Sequence, residues 1–337
     1  MKRLITLLLT TLLLCTACTA GPSQPAEAEP VRVGVLTDGN AIDRGVNQQI
    51  WNALDSLMEE GLSLQRTYRI PGTDGSYGDC IAALEGEGCG LILCAQKNMG
   101  DVIQKAAKSY PQIQFVIVEG DIEPSDNVST MTFATGQAAY LAGIAAGKTS
   151  ISGRIACVHS RLTQETEATV AAFLAGARAA DDEVILLREN IVGQYDGGDS
   201  AAELLVTKGV DVIFHADRTV NSPVIAACAR NGIWAIGTGA DYSGEAPDAV
   251  LTSVVHRVDV AVQDIVRDYA DGSFAAGTRH YDLSSQGVDL VLPGLLSEKT
   301  QTSIQNTKTK LAAGEVGVPD SLEVLAEKYP ELNMSGK

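Results

Sequence analysis

From residue 31 onward, short apolar runs alternate with segments whose apolar residues recur every three or four positions. VRVGVL (31–36), SLQRTYRI (63–70), GLILCA (90–95), QFVIVE (114–119) and VSTMTF (128–133) predict strands. Helices fall between them. The first spans 47–60, with Ile50, Leu54, Leu57 and Met58 on one face and Gly61 as its stop. The next two span 78–87 and 100–110, the latter ended by Pro111. The alternation then begins again. Strands are predicted at 154–160, 184–190, 210–216 and 233–237, with helices at 164–179, 200–208 and 221–231. Further on, 249–255 reads as a strand, 256–269 as a helix, 287–291 as a last short strand, and 297–313 and 322–329 as peripheral helices.

Strands that are apolar on both faces, each followed by a helix, predict parallel sheets covered on both sides. Two successive sets of about four such units predict two similar lobes, without an evident residue-level repeat. In open sheets of this kind ligands sit beyond the carboxyl ends of the strands. The first such end is LTDGNAIDRGVNQQIWNAL (36–54), which crowds Asp38, Asn40, Asp43, Arg44 and Asn47 into ten residues. The later equivalents are 190–196, 215–221 and 238–242.

The amino terminus does not share this pattern. Lys2 and Arg3 precede an apolar run, 4–14, that is short for a bilayer span but suits a signal-peptide core. CTAC follows, with the small Ala17 directly before Cys18 and Cys15 where Leu is commoner. This resembles a bacterial lipoprotein signal: 1–17 the signal peptide, Cys18 the lipidated residue. Residues 18–30 contain TAGPSQPAEAEP, which has no apolar period and reads as a tether. The expected location is the extracytoplasmic face of a membrane, held there by lipid. No other run reaches the ~18 apolar residues of a span.

Charge narrows the partners. The chain carries a net −17, and more once Lys2 and Arg3 leave with the leader. That argues against nucleic acid and anionic lipid. Cys80, Cys89, Cys94, Cys157 and Cys228 follow Cys18, an odd number at irregular spacing and no disulfide framework. The last three lie in apolar runs and read as small buried hydrophobes. Pairing of Cys80 with Cys89 stays open.

Enzyme signatures are missing: no Walker A sequence, HExxH, GxSxG or EF-hand loop. GTGADYSG (237–244) lacks the third glycine and helix start of a dinucleotide site and reads as a loop after a strand. The four histidines, His159, His215, His256 and His280, show no metal-ligand spacing, and neither a metal nor another cofactor is predicted.

Four segments, in order, carry a resemblance. TDGNAIDRGVNQQIWNAL is similar to TDxGGxxDxSFNQxxWEGL, the signature of the basic membrane protein family, PnrA-like nucleoside-binding lipoproteins of bacterial ABC importers. Thr37, Asp38, Asp43, Asn47, Gln48, Trp51 and Leu54 match it, with one residue missing before Asp43. AAYLAGIAAG (138–147) resembles the family's YLAG segment. The run from IVGQYDGGDSA through VDVIFHA to IWAIGTGADY resembles one whose last part reads IGVDxDQ. LTSVVHRVDVAV (251–262) resembles LTSxxKRVDxAV.

The resemblance implies a periplasmic-binding-protein type I fold: two Rossmann-like α/β lobes with parallel sheets, joined by a hinge. Lobe 1 would be 31–133 plus 252–275, and lobe 2 134–251 plus 276–337. It implies capture of a purine nucleoside or similar small polar ligand in the interlobe cleft, and partners in an ABC permease and its ATPase. A nucleoside needs aromatic faces for its base and carboxylates or amides for its donors. The resemblance puts such contacts at Asp38, Asn47, Glu119 (Asp in the family) and Asp241, with Tyr195 as the stacking ring; Asn40 and Asp43 join them from the same strand end. Val46 replaces the family Phe before Asn47, Gly239 the first Asp of IGVDxDQ, and His256 the Lys. Asp217 and Arg218 stand in the family's glycine-rich turn. The Val46 departure removes one side of the family's aromatic sandwich; the others touch positions that the resemblance gives to ribose and make Asp217, Arg218 and His256 candidate contacts to a different polar molecule.

Structural roles compete. Asp38 could form a turn, Asn47 and His256 could cap helices, and Glu119 could be an ordinary surface acid. Trp51 and Tyr140, on helices at apolar spacing, read as core. Two other functions fit the same residues: a ligand sensor that signals to a membrane partner, and a nucleoside hydrolase.

Overall fold

The computed structural model describes residues 29–42, 45–72, 76–95, 99–120, 122–190, 197–217 and 221–330. The leader with Cys18, most of the tether, and Asp43, Tyr195 and Arg218 lie outside the described residues. In chain order the elements are β1 (Val31–Leu36), α1 (Gly45–Glu59), β2 (Leu64–Arg69), α2 (Tyr77–Gly86), β3 (Leu91–Cys94), α3 (Gly100–Ser109), β4 (Gln114–Ile117), β5 (Val128–Phe133) and α4 (Thr135–Thr149). There follow β6 (Arg154–His159), α5 (Gln164–Ala180), β7 (Ile185–Asn190), α6 (Gly197–Thr207), β8 (Val212–His215), α7 (Asn221–Asn231), β9 (Trp234–Gly239) and β10 (Val250–His256). The chain ends through α8 (Val258–Ala270), β11 (Thr278–Tyr281), β12 (Val288–Val291), α9 (Glu298–Ala312) and α10 (Leu322–Lys328).

Two six-stranded sheets result, ordered β11-β5-β4-β3-β1-β2 and β12-β10-β9-β8-β6-β7. Every named pair is parallel except β10 with β12. Alternation along the strands explains the layers. In β1, Val33 and Val35 meet Ile50, Leu54 and Leu57 of α1 and Val262 and Ile265 of α8. Leu36, Ile92 and Phe115 face Ile81 and Leu84 of α2 and Ile103 of α3. The second sheet is likewise covered by α4, α5, α9 and α10 on one face and by α6 and α7 on the other. Burying both faces offsets the chain entropy of ordering the sheet, at ~25 cal/mol per Å² of apolar area removed from water.

The segment AAYLAGIAAG forms the middle of α4, which is buried on nearly every side. Glycine allows this. A Cβ on Gly143 would strike the Phe173 carbonyl, and one on Gly176 would strike the Tyr140 carbonyl. The two backbones therefore touch where α4 crosses α5. Tyr140 is core, as its spacing predicts. Trp51 is only half buried: the Arg66 guanidinium lies 3.8 Å over its ring and Tyr68 meets it edge-on. The five cysteines from Cys80 onward are buried, and Cys80 and Cys89 form no disulfide with each other.

The chain crosses between sheets three times, and two crossings fall elsewhere than the sequence predicts. Residues 250–256 stay in the second sheet, and 278–281 return to the first as β11 beside β5. The sequence puts these changes at 251/252 and 275/276 and predicts no strand at 278–281. The physical reason is pairing: the backbone of 250–256 is satisfied by β9 and β12, and that of 278–281 by β5. The crossings are tied together. Ala134 N donates to Tyr281 O at 2.8 Å, Arg257 N to Gly287 O at 2.8 Å, and Leu283 N to Gln137 Oε1 at 2.9 Å. Among the described residues no helix is long and apolar enough to cross a membrane.

Candidate functional site

At the end of β1 the polar crowd folds in on itself. Gly39, at φ +89°, turns the chain back. The Asp38 Oδ1 accepts from Asn40 N (3.0 Å), Asn40 Nδ2 (3.0 Å) and Asn47 Nδ2 (2.6 Å). Asn47 also donates to the carbonyls of Asn40 and Ala41, and its own Oδ1 accepts from Asp38 N at 3.3 Å. Asn47 is buried. It is the third residue of α1 rather than its cap, and its amide clamps the loop 38–41 to the helix. Asp38 is half buried and Asn40 exposed at the edge of this knot. Thr37, just before it, is fully buried, and its hydroxyl finds no hydrogen-bond partner among the described residues.

On the other lobe, Asp217 follows β8. Its Oδ2 accepts from Ser160 N at 2.6 Å and Ser160 Oγ at 2.7 Å, tying the end of β6 to the end of β8. Its Oδ1 lies 3.7 Å from His215 Nε2. His215 is 1% exposed, and neither ring nitrogen makes a hydrogen bond among the described residues. Burial drives its pKa down to about 4, against the opposing pull of Asp217. His159, on the adjacent strand, is lowered for the same first reason, with Arg188 adding to the effect. Both imidazoles are therefore neutral at ordinary pH. Ser160, Asp217 and His215 do not form a nucleophile–base–acid relay: the carboxylate sits between the hydroxyl and the ring, so the ring has no access to the serine proton.

Asp241 stands apart from these groups. It is exposed and accepts from Ser243 N at 2.9 Å, the geometry of a turn former. Its neighbour Tyr242 turns inward, packing over Gly237, where a Cβ would collide with the ring. Asn221 accepts from Thr238 N at 3.1 Å and donates to Thr238 O at 3.0 Å and to Tyr242 Oη at 3.1 Å. Asn221 and Tyr242 thus tie the start of α7 to the end of β9; the sequence placed both in strand-end segments without singling them out.

Glu119 and His256 meet. Glu119 follows β4 in the first lobe and His256 ends β10 in the second, yet Glu119 Oε1 lies 2.6 Å from His256 Nδ1. Glu119 is thus no ordinary surface acid, and His256 does not cap α8, whose first turn follows Arg257. The ring is 7% exposed, stacks on Phe133 at 4.7 Å, and places Nε2 2.8 Å from Thr135 Oγ1.

The structure thus brings Asp38, Asn40 and Asn47 together at one strand end, sets Asp217 at another, and joins Glu119 to His256 between lobes. No group of three His, Cys, Asp or Glu among the described residues could hold a metal ion. A groove of about 380 Å³ lined by Ile233, Trp234, Ala246 and Pro247 lies at the amino ends of β9 and β10, the wrong end of a parallel sheet for a ligand site.

The family described as "ABC transporter substrate-binding protein PnrA-like" matches residues 30–322. The ABC transporter nucleoside-binding protein BmpA of Lactococcus lactis is 28% identical, over 86% of this chain and 89% of its own length. Basic membrane protein D of Borreliella burgdorferi is 27% identical, over 83% and 84%. Among solved structures, an ABC transporter solute-binding protein of Conexibacter woesei superposes with TM-score 0.70 at 19% identity, covering 86% of this chain and 99% of that one. One from Aeropyrum pernix gives 0.67 at 20% identity, covering 91% and 98%. The structural likenesses establish the fold alone: two parallel-sheet α/β lobes of the periplasmic-binding-protein type I kind.

Proposed function

The chain belongs to the PnrA-like family of ABC transporter substrate-binding proteins, and from that premise we propose that it captures a small polar solute between its lobes and delivers it to a membrane permease. The observation that carries this reading is the placement of polar side chains at the carboxyl ends of both sheets. Asp38 stands in one lobe, Asp217 in the other, and Glu119 and His256 meet between them. Binding is the whole of the chemistry. Groups already held in place lose little entropy on meeting a ligand, and a closing cleft removes the water that competes with them.

The solute class we propose is a purine nucleoside or a similar hydroxyl-bearing molecule. The Lactococcus relative is named for nucleoside binding. Val46 removes one side of the family's aromatic sandwich, and the replacements at Gly239 and His256 change how the sugar is held; the polar character of the cleft is kept. Asp43, Tyr195, Arg218 and Asp241, which follow strands in the sequence, complete the proposed contact set. Lipidation at Cys18 would keep the protein on the extracytoplasmic face, beside its permease.

A thermal-shift screen with nucleosides, free bases, sugars and amino acids tests the reading. A ligand present at 100 times its Kd stabilises by about 2.7 kcal/mol and raises the melting temperature. Nucleosides are expected to give the shift. A panel in which nothing moves the melting temperature would sink the proposal, and a shift confined to amino acids would replace its ligand.

A further inference from the structure

The contact between Glu119 and His256 spans the lobes close to the crossings. Three further features hold it. The His256 ring lies flat on Phe133, 5° from parallel. Thr135 Oγ1, at the start of α4, sits 2.8 Å from Nε2. Glu119 itself adopts φ +58°, a left-handed conformation that costs a residue with a Cβ about 1 kcal/mol. Such strain persists only where surrounding contacts over-determine it. Here it aims the carboxylate across the gap.

We propose that Glu119, His256, Thr135 and Phe133 form an interlobe latch that sets the ligand-free balance between open and closed lobes, and thereby the apparent affinity of the cleft. The proposal deepens the hinged-binder reading above, but its test needs no ligand. β4 lies one strand from the crossing strand β5, so Glu119 moves on a lever of roughly one strand spacing, ~4.8 Å. Small rocking leaves a 2.6 Å bond intact, and wide opening breaks it. The latch biases the resting population toward closure, and affinity scales with the fraction of molecules competent to bind.

With its proton on Nδ1 the ring donates to Glu119 and accepts the Thr135 hydroxyl at Nε2. The neighbouring cation, Arg257, is engaged by Asp259 on its own helix at 2.7 and 2.9 Å.

Small-angle scattering and amide exchange on the ligand-free protein test the latch. Glu119→Ala and Thr135→Val are expected to enlarge the radius of gyration and speed exchange at 133–137 and 281–287, with circular dichroism unchanged. Thr135→Ser, which restores the hydroxyl, and Glu119→Gln, which keeps an acceptor for Nδ1–H, should stay near wild type. Glu119→Ala combined with His256→Gln should open the protein no further than either alone. Folded Glu119→Ala and Thr135→Val proteins with wild-type dimensions and exchange would overturn the latch while leaving the ligand screen, and the binder reading, untouched.

Discussion

Asn47 reaches back nine residues to place its Nδ2 2.6 Å from the Oδ1 of Asp38. One buried amide thus fixes the geometry of that carboxylate. Asn47→Ala should cost about 2 kcal/mol of stability, since it leaves the carbonyls of Asn40 and Ala41 and the Asp38 carboxylate short of a donor. Asn47→Asp should cost more, because it sets a second carboxylate against the first. Denaturant midpoints of the two variants check the order; equal midpoints would contradict the clamp.

Asp38→Ala should weaken ligand binding at least tenfold, about 1.4 kcal/mol, while the protein stays folded. The side chain lies at the half-buried rim of the knot rather than in the core, so its loss falls on the cleft. Calorimetry with the solute identified by the screen reads the change, and an unchanged affinity would remove the β1 end from the site.

Stability should fall on acidification through a window set by His215. Its ordinary value is 6.5, and burial holds it at about 4 in the folded protein. Between these values the unfolded chain takes up a proton that the native ring refuses. Stability is therefore full above about pH 6.5 and declines as pH drops toward 4, by about 3 kcal/mol at most from this group. His159 is shifted in the same direction and adds to the slope. Melting temperatures of wild type and His215→Gln from pH 7.5 to 4 check this: the variant should lose less on acidification, and parallel curves would assign the slope elsewhere.

Gly176→Ala should destabilise by at least ~1–3 kcal/mol, because the new methyl meets the Tyr140 backbone rather than a side chain that can move aside. Gly78→Ala is the control: it is exposed in α2, with open space around its Cβ position and ordinary helical backbone, so it should leave stability unchanged or slightly raised. A melting temperature for Gly176→Ala equal to wild type would mean that α4 and α5 can slide apart.

How much of this was written in the sequence differs from element to element. LILC and VIFH read as strands because they are apolar on both faces, and each is flanked by a segment of helical period. β11 gave no such sign: TRHY is a polar edge strand of four residues with one buried side chain. What makes it a strand is β5, nearly 150 residues earlier, and pairing at that distance leaves no local trace. The crossings were misplaced for the same reason. At the site, Asp38 and Asn47 stood out as polar residues at a strand end, but the amide's role depended on which way it turned. His256 was visible as a departure from the family pattern. Its stack on Phe133 and its bond to Thr135, 121 residues away in sequence, exist only after folding.

The return of β11 to the first sheet orders events in time as well as space. A ribosome that has released residues 31–133 has supplied five of the six strands of that sheet, but neither the strand that covers β5 nor the helix α8 that seals α1. The half-made lobe keeps an open edge and an uncovered apolar face until about residue 281 emerges. The first lobe is therefore completed only after most of the second has been made.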